Sequence, residues 1–350
     1  MAKSAVPGVV RQFLPATTIG SGDGVVQSVV GEQPSDRHER LAEVIAYPTD
    51  KPVAAKFSIL RHKDLLGQEK ASLIYTVLWP VIMVISLVFM LRIQLYRLRH
   101  NKTIDKNRML IGPEGGTFTY LLDKAHPLGR QLREGVTTSA ALDIYYNAQL
   151  IVPRISTLGE HVIAFSLYSP DPCAVRNRLR ITYREILAEL EALYKKGRRI
   201  IRYLSLACGS AQATIEAVSQ FREKYSDVTV DLRLVDLNED SLKQASYFAR
   251  KRRIGDWMMV RKGDLKRFLR SEKTASWDIV EMVGFLDYRP AQSVSGYCRD
   301  IRRVLCPGGL FVGAHIAPSP WSFMVRWWLN WPLLKRRSKA LYYELLRNGG

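Results

Sequence analysis

Acidic residues are scarce in this chain. Its 33 Asp and Glu stand against 52 Lys and Arg, a formal net charge of +19. That balance argues against a cationic partner and for a polyanionic one, either nucleic acid or an anionic membrane face. Cysteine is scarce too: Cys173, Cys208, Cys298 and Cys306 lie apart, with no Cys-x-x-Cys pair. Neither a zinc site nor a disulfide frame is indicated, no metal is expected, and a reducing compartment is the simpler setting. No repeat unit recurs, and no apolar core follows the first basic residues as it would in a signal peptide. What is present is ordinary for a folded protein, 47% hydrophobic against 24% charged over 350 residues. That is enough for a full-sized core and for more than one region.

The chain is organised around Ile201 to Ala211, where an apolar run ends abruptly in small residues. Tyr203, Leu204 and Leu206 give it the character of a buried strand. Ala207, Gly209, Ser210 and Ala211 remove bulk where the backbone turns, and helical spacing resumes from Thr214 to Phe221. Such a turn, at the carboxyl end of a strand and facing a helix N-terminus, is the usual seat of a nucleotide-like ligand in an open α/β sheet. Val228 to Asp236 reads as a second strand ending in a carboxylate, which can accept both hydroxyls of a ribose. Asn238 to Asp240 caps a helix from Ser241 to Arg252, and Trp257 to Val260 is a third strand closing on Gly263-Asp264. Trp277 to Val283 is a fourth, Gln292 to Leu305 a helix, and Pro307-Gly308-Gly309 a turn into a fifth strand, Leu310 to His315.

This order of small-residue turn, acidic strand end, Gly-Asp, apolar fourth strand and Leu-Cys-Pro-Gly-Gly-Leu-Phe-Val resembles the class I S-adenosylmethionine-dependent methyltransferases, from near Tyr183 to the end. The resemblance implies an α/β fold with a doubly wound, mostly parallel Rossmann-like sheet, and S-adenosyl-L-methionine as cofactor. It further implies that Ala207, Gly209 and Ser210 lie along the methionine part and Asp236 with Leu237 at the ribose. Asp264 and Leu265 would border the adenine, with Gly284, Phe285 and Tyr288 near the methyl group and the substrate. The chain departs from the family in having Ser205 where an acidic residue is usual, and alanine in place of the later glycines of the turn. The helix from Ser338 to Leu346 precedes a sixth strand in such folds, so the sheet reads as unfinished: either the chain is cut short, or the sheet ends at five strands.

Before this half lie three further regions. Residues 1–70 read as largely irregular, rich in Gly, Ser, Pro and Thr up to about Arg40. Residues 71–98 read as a transmembrane or membrane-embedded helix, because no charged residue stands between Lys70 and Arg92 and about 20 apolar residues span a bilayer core. Tyr75 and Trp79 on one side, and Arg92, Tyr96, Arg97 and Arg99 on the other, are interfacial anchors in this reading. A buried core helix and a segment kinked or re-entrant at Pro80 are the alternatives. Residues 99–172 form a linker or cap, with a helix from Ala140 to Gln149 whose Tyr145 and Tyr146 either pack or line a pocket. Residues 173–350 are the methyltransferase-like domain; its arginines 176, 178 and 180 precede an amphipathic helix from Tyr183 to Lys195 and read as a solvated charge run, or one that meets lipid phosphate.

The stretch from Pro318 to Arg337 sets Trp321, Phe323, Trp327, Trp328 and Trp331 beside Lys335-Arg336-Arg337, the composition of a segment in a membrane interface. Trp327 and Trp328 are therefore expected at the substrate entry. The partners expected are anionic membrane lipids and a lipid-soluble or membrane-bound substrate, with the domain on the cytoplasmic side, where adenosylmethionine is made. The competing class is a nucleic-acid methyltransferase. Val283-Gly284-Phe285-Leu286 disfavours it, since amino-methylating nucleic-acid enzymes of the family carry Asn/Asp-Pro-Pro-aromatic there. A membrane-anchored binding protein without catalysis is the third reading. His315, at the end of the fifth strand, is the candidate base, with a strand-end structural role as its alternative; Glu281 is either an outside candidate or a satisfied buried acid.

Overall fold

The computed structural model describes residues 9–13, 60–78, 126–134, 138–148, 156–318 and 334–348, together with helical positions 81, 84, 85, 88, 91, 92, 95, 98 and 99. Within these residues the chain runs β1 (Val9–Phe13), α1 (His62–Leu65), α2 (Leu73–Val77), α3 (Pro127–Glu134), α4 (Ser139–Tyr146), α5 (Leu158–Tyr168) and α6 (Pro170–Lys195). It continues β2 (Ile200–Leu206), α7 (Gln212–Lys224), β3 (Thr229–Asp236), α8 (Glu239–Lys251), β4 (Met258–Lys262), α9 (Leu265–Ser271), β5 (Trp277–Val283), α10 (Ala291–Val304), β6 (Leu305–Ala314) and α11 (Lys339–Asn348).

Strands β2 to β6 pair in parallel, and the six-stranded sheet has the order β1-β6-β5-β2-β3-β4. From β2 the chain winds outward through β3 and β4, then crosses back to β5 and β6 on the other side. The strand order therefore reverses between β2 and β5, which makes that gap the topological switch point.

Period-two alternation builds a core on each face of the sheet. Ile201 and Tyr203 of β2, Leu232 and Leu234 of β3 and Ile279 of β5 pack with Tyr183, Ile186 and Leu190 of α6, Phe221 of α7 and Phe248 of α8. The residues between them, Leu204, Leu206, Val235, Val280 and Met282, pack on the opposite face with Phe268 of α9, Ile301 of α10 and Tyr342 of α11. Each fully buried Leu, Ile or Phe contributes roughly 1.5–3 kcal/mol, so this two-sided burial is what holds the strand ends in place.

The structure corrects the expected boundaries at several points. The sheet is not five-stranded: β1 closes it, antiparallel to β6, with Val9 opposite Ala314 and Phe13 opposite Leu310. The sixth strand thus comes from the N-terminal region that was expected to be irregular. That region also supplies α1, and Leu60 and Leu65 are buried in the first core. The expected division between residues 172 and 173 falls inside α6, which starts at Pro170 rather than Tyr183. Pro170 sits at the first helical position, where its missing N–H removes no helix bond. Arg176 and Arg178 are buried, so the arginine run is not solvated. Arg176 and Arg180 both pair with Glu69, at 2.5 and 3.1 Å, and this clamp ties the strap of residues 60–72 to α6.

Among the described residues, no helix is long and apolar enough to cross a membrane. Trp79 and Pro80 lie outside the described residues. Tyr75 is buried and meets Phe165 edge to face at 6.2 Å. Beyond it Val77, Val81, Val84, Val88, Leu91, Leu95 and Leu98 are all exposed, which removes the reading of these positions as a buried core helix.

Candidate functional site

A cavity of about 750 Å³ opens at the carboxyl ends of β2, β3 and β5. That is the size of a small-molecule site, and it lies at the switch point. Its floor is made by the turns after these strands, and α4 and α6 form its walls. The chain returning at Leu334 and Arg336 lines it as well.

The turn after β2 explains the small residues. Ala207, Gly209 and Ala211 have φ of 50°, 55° and 51°, the left-handed region. A non-glycine residue there costs about 1–2 kcal/mol, so two alanines hold a strained backbone that glycine would adopt freely. The turn is tied to the end of β3: Gly209 N–H donates to Asp236 Oδ2 at 2.9 Å, and Asn238 N–H donates to Oδ1 at 2.8 Å. The Asp236 carboxylate is thereby fixed at the cavity rim with acceptor capacity left over. Leu237 beside it is 70% exposed, an apolar side chain held out at the cavity edge.

Beneath the turn, Tyr203 and Thr214 donate their hydroxyls to Glu281 Oε2 at 2.7 and 2.6 Å. Glu281 is therefore the satisfied buried acid of the two readings. Above the turn, α4 reaches down with Asp143, whose Oδ1 accepts Ser210 Oγ–H and Gln212 Nε2–H, both at 2.6 Å. Burial raises the Asp143 carboxyl to about 7, against the opposing effect of those two bonds. Ser139 on the same helix bonds Ser241 of α8 at 2.8 Å, so α4 is pinned over the turn at its first residue and at its middle.

The far wall carries charge. Arg178 Nη1 lies 3.5 Å from Asp287 Oδ2, and both residues are buried. Asp287 Oδ1 accepts Ile316 N–H at 2.9 Å. Burial raises the Asp287 carboxyl to about 6 even though Arg178 pulls the other way. A second pair, Arg336 with Asp171 at 2.7 Å, lines the same wall.

Of the residues expected from sequence, Ala207, Gly209, Asp236, Leu237, Gly284, Phe285 and Tyr288 line this cavity, and Tyr145 does so on α4. Ser210 points instead to Asp143. Asp264 does not line it: its Oδ1 accepts Arg267 N–H at 2.9 Å as the N-cap of α9, and Leu265 is buried in the second core. His315 is also displaced from its expected role, since it is 1% exposed, stacks on Tyr342 at 4.3 Å and is absent from the lining. Trp327 and Trp328 lie outside the described residues. Burial pushes the Cys208 thiol well up, so it offers no ready thiolate. Asp143, Asp171, Arg178 and Arg336 were not expected at the site, because no local spacing marks a residue brought there by the packing of α4, α6 and the returning chain; Asp287 was also not expected, although it lies in the turn after β5 between Phe285 and Tyr288. Among the described residues, no cluster of metal-ligating side chains occurs.

The residues present fit a nucleoside cofactor. Asp236 is oriented by backbone N–H groups with capacity for hydroxyl donors, Leu237 offers an apolar edge, and the small-residue turn keeps bulk away from the backbone.

No family model and no curated protein matches the chain. Solved structures do resemble it. A possible exported protein from Bordetella parapertussis aligns with a TM-score of 0.51 at 16% identity, over 76% of this chain and 89% of that one. A geranyl diphosphate C-methyltransferase from Streptomyces coelicolor, solved with Mg²⁺, geranyl-S-thiolodiphosphate and S-adenosyl-L-homocysteine, has a TM-score of 0.34 at 16% identity, over 50% of this chain and 59% of that one. An S-adenosylmethionine-dependent methyltransferase from Archaeoglobus fulgidus has a TM-score of 0.34 at 16% identity, over 48% and 68%. The first likeness and the sheet order agree on a doubly wound α/β fold.

Proposed function

We propose that the chain is an S-adenosyl-L-methionine-dependent methyltransferase acting on a lipid-soluble, membrane-resident small molecule. The observation that carries this reading is the tie between Gly209 N–H and Asp236 Oδ2 at the rim of the switch-point cavity. The cofactor, when bound, supplies an electrophilic methyl group on a sulfonium. The turn from Ala207 to Gly209 would hold its amino-acid part and Asp236 its ribose hydroxyls, with Leu237 and Asn238 beside the base. Gly284 leaves room where acceptor and methyl group meet. Beyond this the protein's work is placement, since in-line methyl transfer gains most from holding the acceptor close and dry.

A membrane-resident acceptor is supported by the exposed apolar positions between Val77 and Leu98, with the exposed cations Arg92 and Arg99 at the later end of the stretch. Large apolar side chains repeated along an exposed segment mark a surface meant for another phase or partner. The net charge of +19 adds attraction to anionic headgroups. In this reading the exposed apolar positions between Val77 and Leu98 meet the bilayer, and the catalytic domain lies on the face where adenosylmethionine is available, the cytoplasmic one.

The test is to incubate purified full-length protein with methyl-labelled adenosylmethionine and either membrane lipids or total RNA. Label is expected in the organic phase. Label in RNA alone would overturn the membrane-resident acceptor and favour the charge-based alternative.

A further inference from the structure

The cavity holds one buried cation whose hydrogen-bonding capacity is only partly used. Arg178 is 4% exposed, yet it carries five N–H donors. Asp287 takes one end at 3.5 Å and Tyr146 bonds the group as well, while Nε–H has no acceptor among the described residues. Leaving one donor of a buried guanidinium unmatched is unfavourable, and Arg178 stands on the cavity wall, where a ligand atom can complete its hydrogen bonding. The approach is open on one side because Gly284, at φ +86°, has no side chain: a Cβ there would lie 3.3 Å from both terminal nitrogens of Arg178.

Charge on the wall narrows the ligand. Arg178 and Arg336 are matched by Asp287 and Asp171, while Arg289 lies over the Phe285 ring, so a ligand with a permanent negative charge would meet the carboxylates of Asp171 and Asp287 as well as the guanidinium groups that line the cavity. A neutral hydroxyl meets no such conflict. It can donate to Asp287, and its oxygen can accept from Arg178. Negative charge then develops on that oxygen only as the proton leaves, which is when Arg178 stabilises it most. The rest of the cavity suits an apolar body, with Leu142, Val175, Val283, Phe285 and Ile316 around it.

Resting on the methyltransferase reading, we propose that Arg178 and Asp287 form the acceptor subsite, and that the acceptor is an apolar molecule bearing an acidic hydroxyl of phenol or enol type. Asp287 Oδ2 takes the hydroxyl proton and Arg178 holds the resulting oxyanion. The electron pair released forms the new bond to the methyl carbon, at oxygen or at the conjugated carbon, while the carbon–sulfur pair of the sulfonium stays on sulfur. Asp287 is ready for this because its carboxyl, raised to about 6, is ionised at neutral pH yet retains proton affinity above that of an ordinary aspartate.

The subsite can be tested without knowing the acceptor. The full-length protein is titrated with 4-nitrophenol, whose phenolate absorbance reports binding and ionisation, with and without S-adenosyl-L-homocysteine. Saturable binding with a phenolate signal is expected for the wild type. Arg178→Met should weaken it tenfold or more. Arg178→Lys, which keeps the charge and loses the planar fork, should fall between the two and guards against a variant that fails to fold. No saturable signal in the wild type, or equal binding by the wild type and Arg178→Lys together with any folded Arg178→Met, would overturn the proposal. In the label-transfer assay, Asp287→Asn should lose at least a hundredfold in rate while calorimetric affinity for S-adenosyl-L-homocysteine changes less than about twofold. Failure of every variant and the wild type to bind S-adenosyl-L-homocysteine would instead overturn the cofactor reading, and the 4-nitrophenol result would still decide the subsite.

Discussion

Asp143 is an acid held against its own solvation. Its carboxyl is 1% exposed and raised to about 7, so in the native state it binds a proton more tightly than in the unfolded chain. The stabilisation tied to that proton is complete below the ordinary aspartate range and is lost as pH rises towards 7. Asp143→Asn keeps an oxygen for Ser210 and Gln212 and removes the buried charge. At pH 8 the variant is expected to be more stable by about 1–3 kcal/mol, with the gap closing near pH 4; urea denaturation at both pH values checks it. Ala211→Gly, which relieves a left-handed alanine at φ 51°, should raise stability by about 1 kcal/mol; an unchanged or lower urea midpoint would contradict the strain. At this scale Gly209 and Asp236 were legible in the sequence because each stands at the end of its own apolar run. Asp143 and Arg178 were not, since their roles arise from helices packed over the sheet, and Asp287 gains its role only from Arg178 on one of those helices. The exposed N-cap at Asp264 shows the converse, a residue of the right type whose local geometry gives it another task.

Elements read well where one physical pattern dominated. β5 matches its expected span because seven successive residues, Trp277–Val283, are nearly all buried between two helical layers. α6 was underestimated because its first half carries Pro170, Pro172 and arginines, which look like a loop until Glu69 is seen to neutralise two of those arginines. β1 was missed because its five residues, Val-Val-Arg-Gln-Phe, carry no period-two alternation to mark a strand, whereas β6 supplies the pairing. The Glu69 clamp gives an element-scale expectation. Glu69→Ala leaves Arg176, 3% exposed, without its carboxylate, and should lower global stability by about 3–5 kcal/mol. A loss below about 1 kcal/mol in urea denaturation would mean that the strap of residues 60–72 contributes little to the folded domain.

For the whole molecule, the sheet order follows from the sequence of strands and helices, while the cavity's polar wall depends on distant parts of the chain meeting. The exposed apolar positions after Tyr75 lead to a further expectation. In flotation with phosphatidylglycerol vesicles at high salt, where surface charge is screened, the wild type should float, and Val84→Glu with Leu91→Glu should largely remain at the bottom. Equal flotation of both would show that charge or another region holds the membrane. The most direct measurement is calorimetric titration of the full-length protein with S-adenosyl-L-methionine, beside Asp236→Ala. One saturable site is expected in the wild type, with affinity reduced in the variant by about 1.5–3 kcal/mol, or roughly ten- to a hundredfold. No saturable heat in the wild type, or equal affinity in Asp236→Ala, would contradict the cofactor site at the Gly209–Asp236 rim.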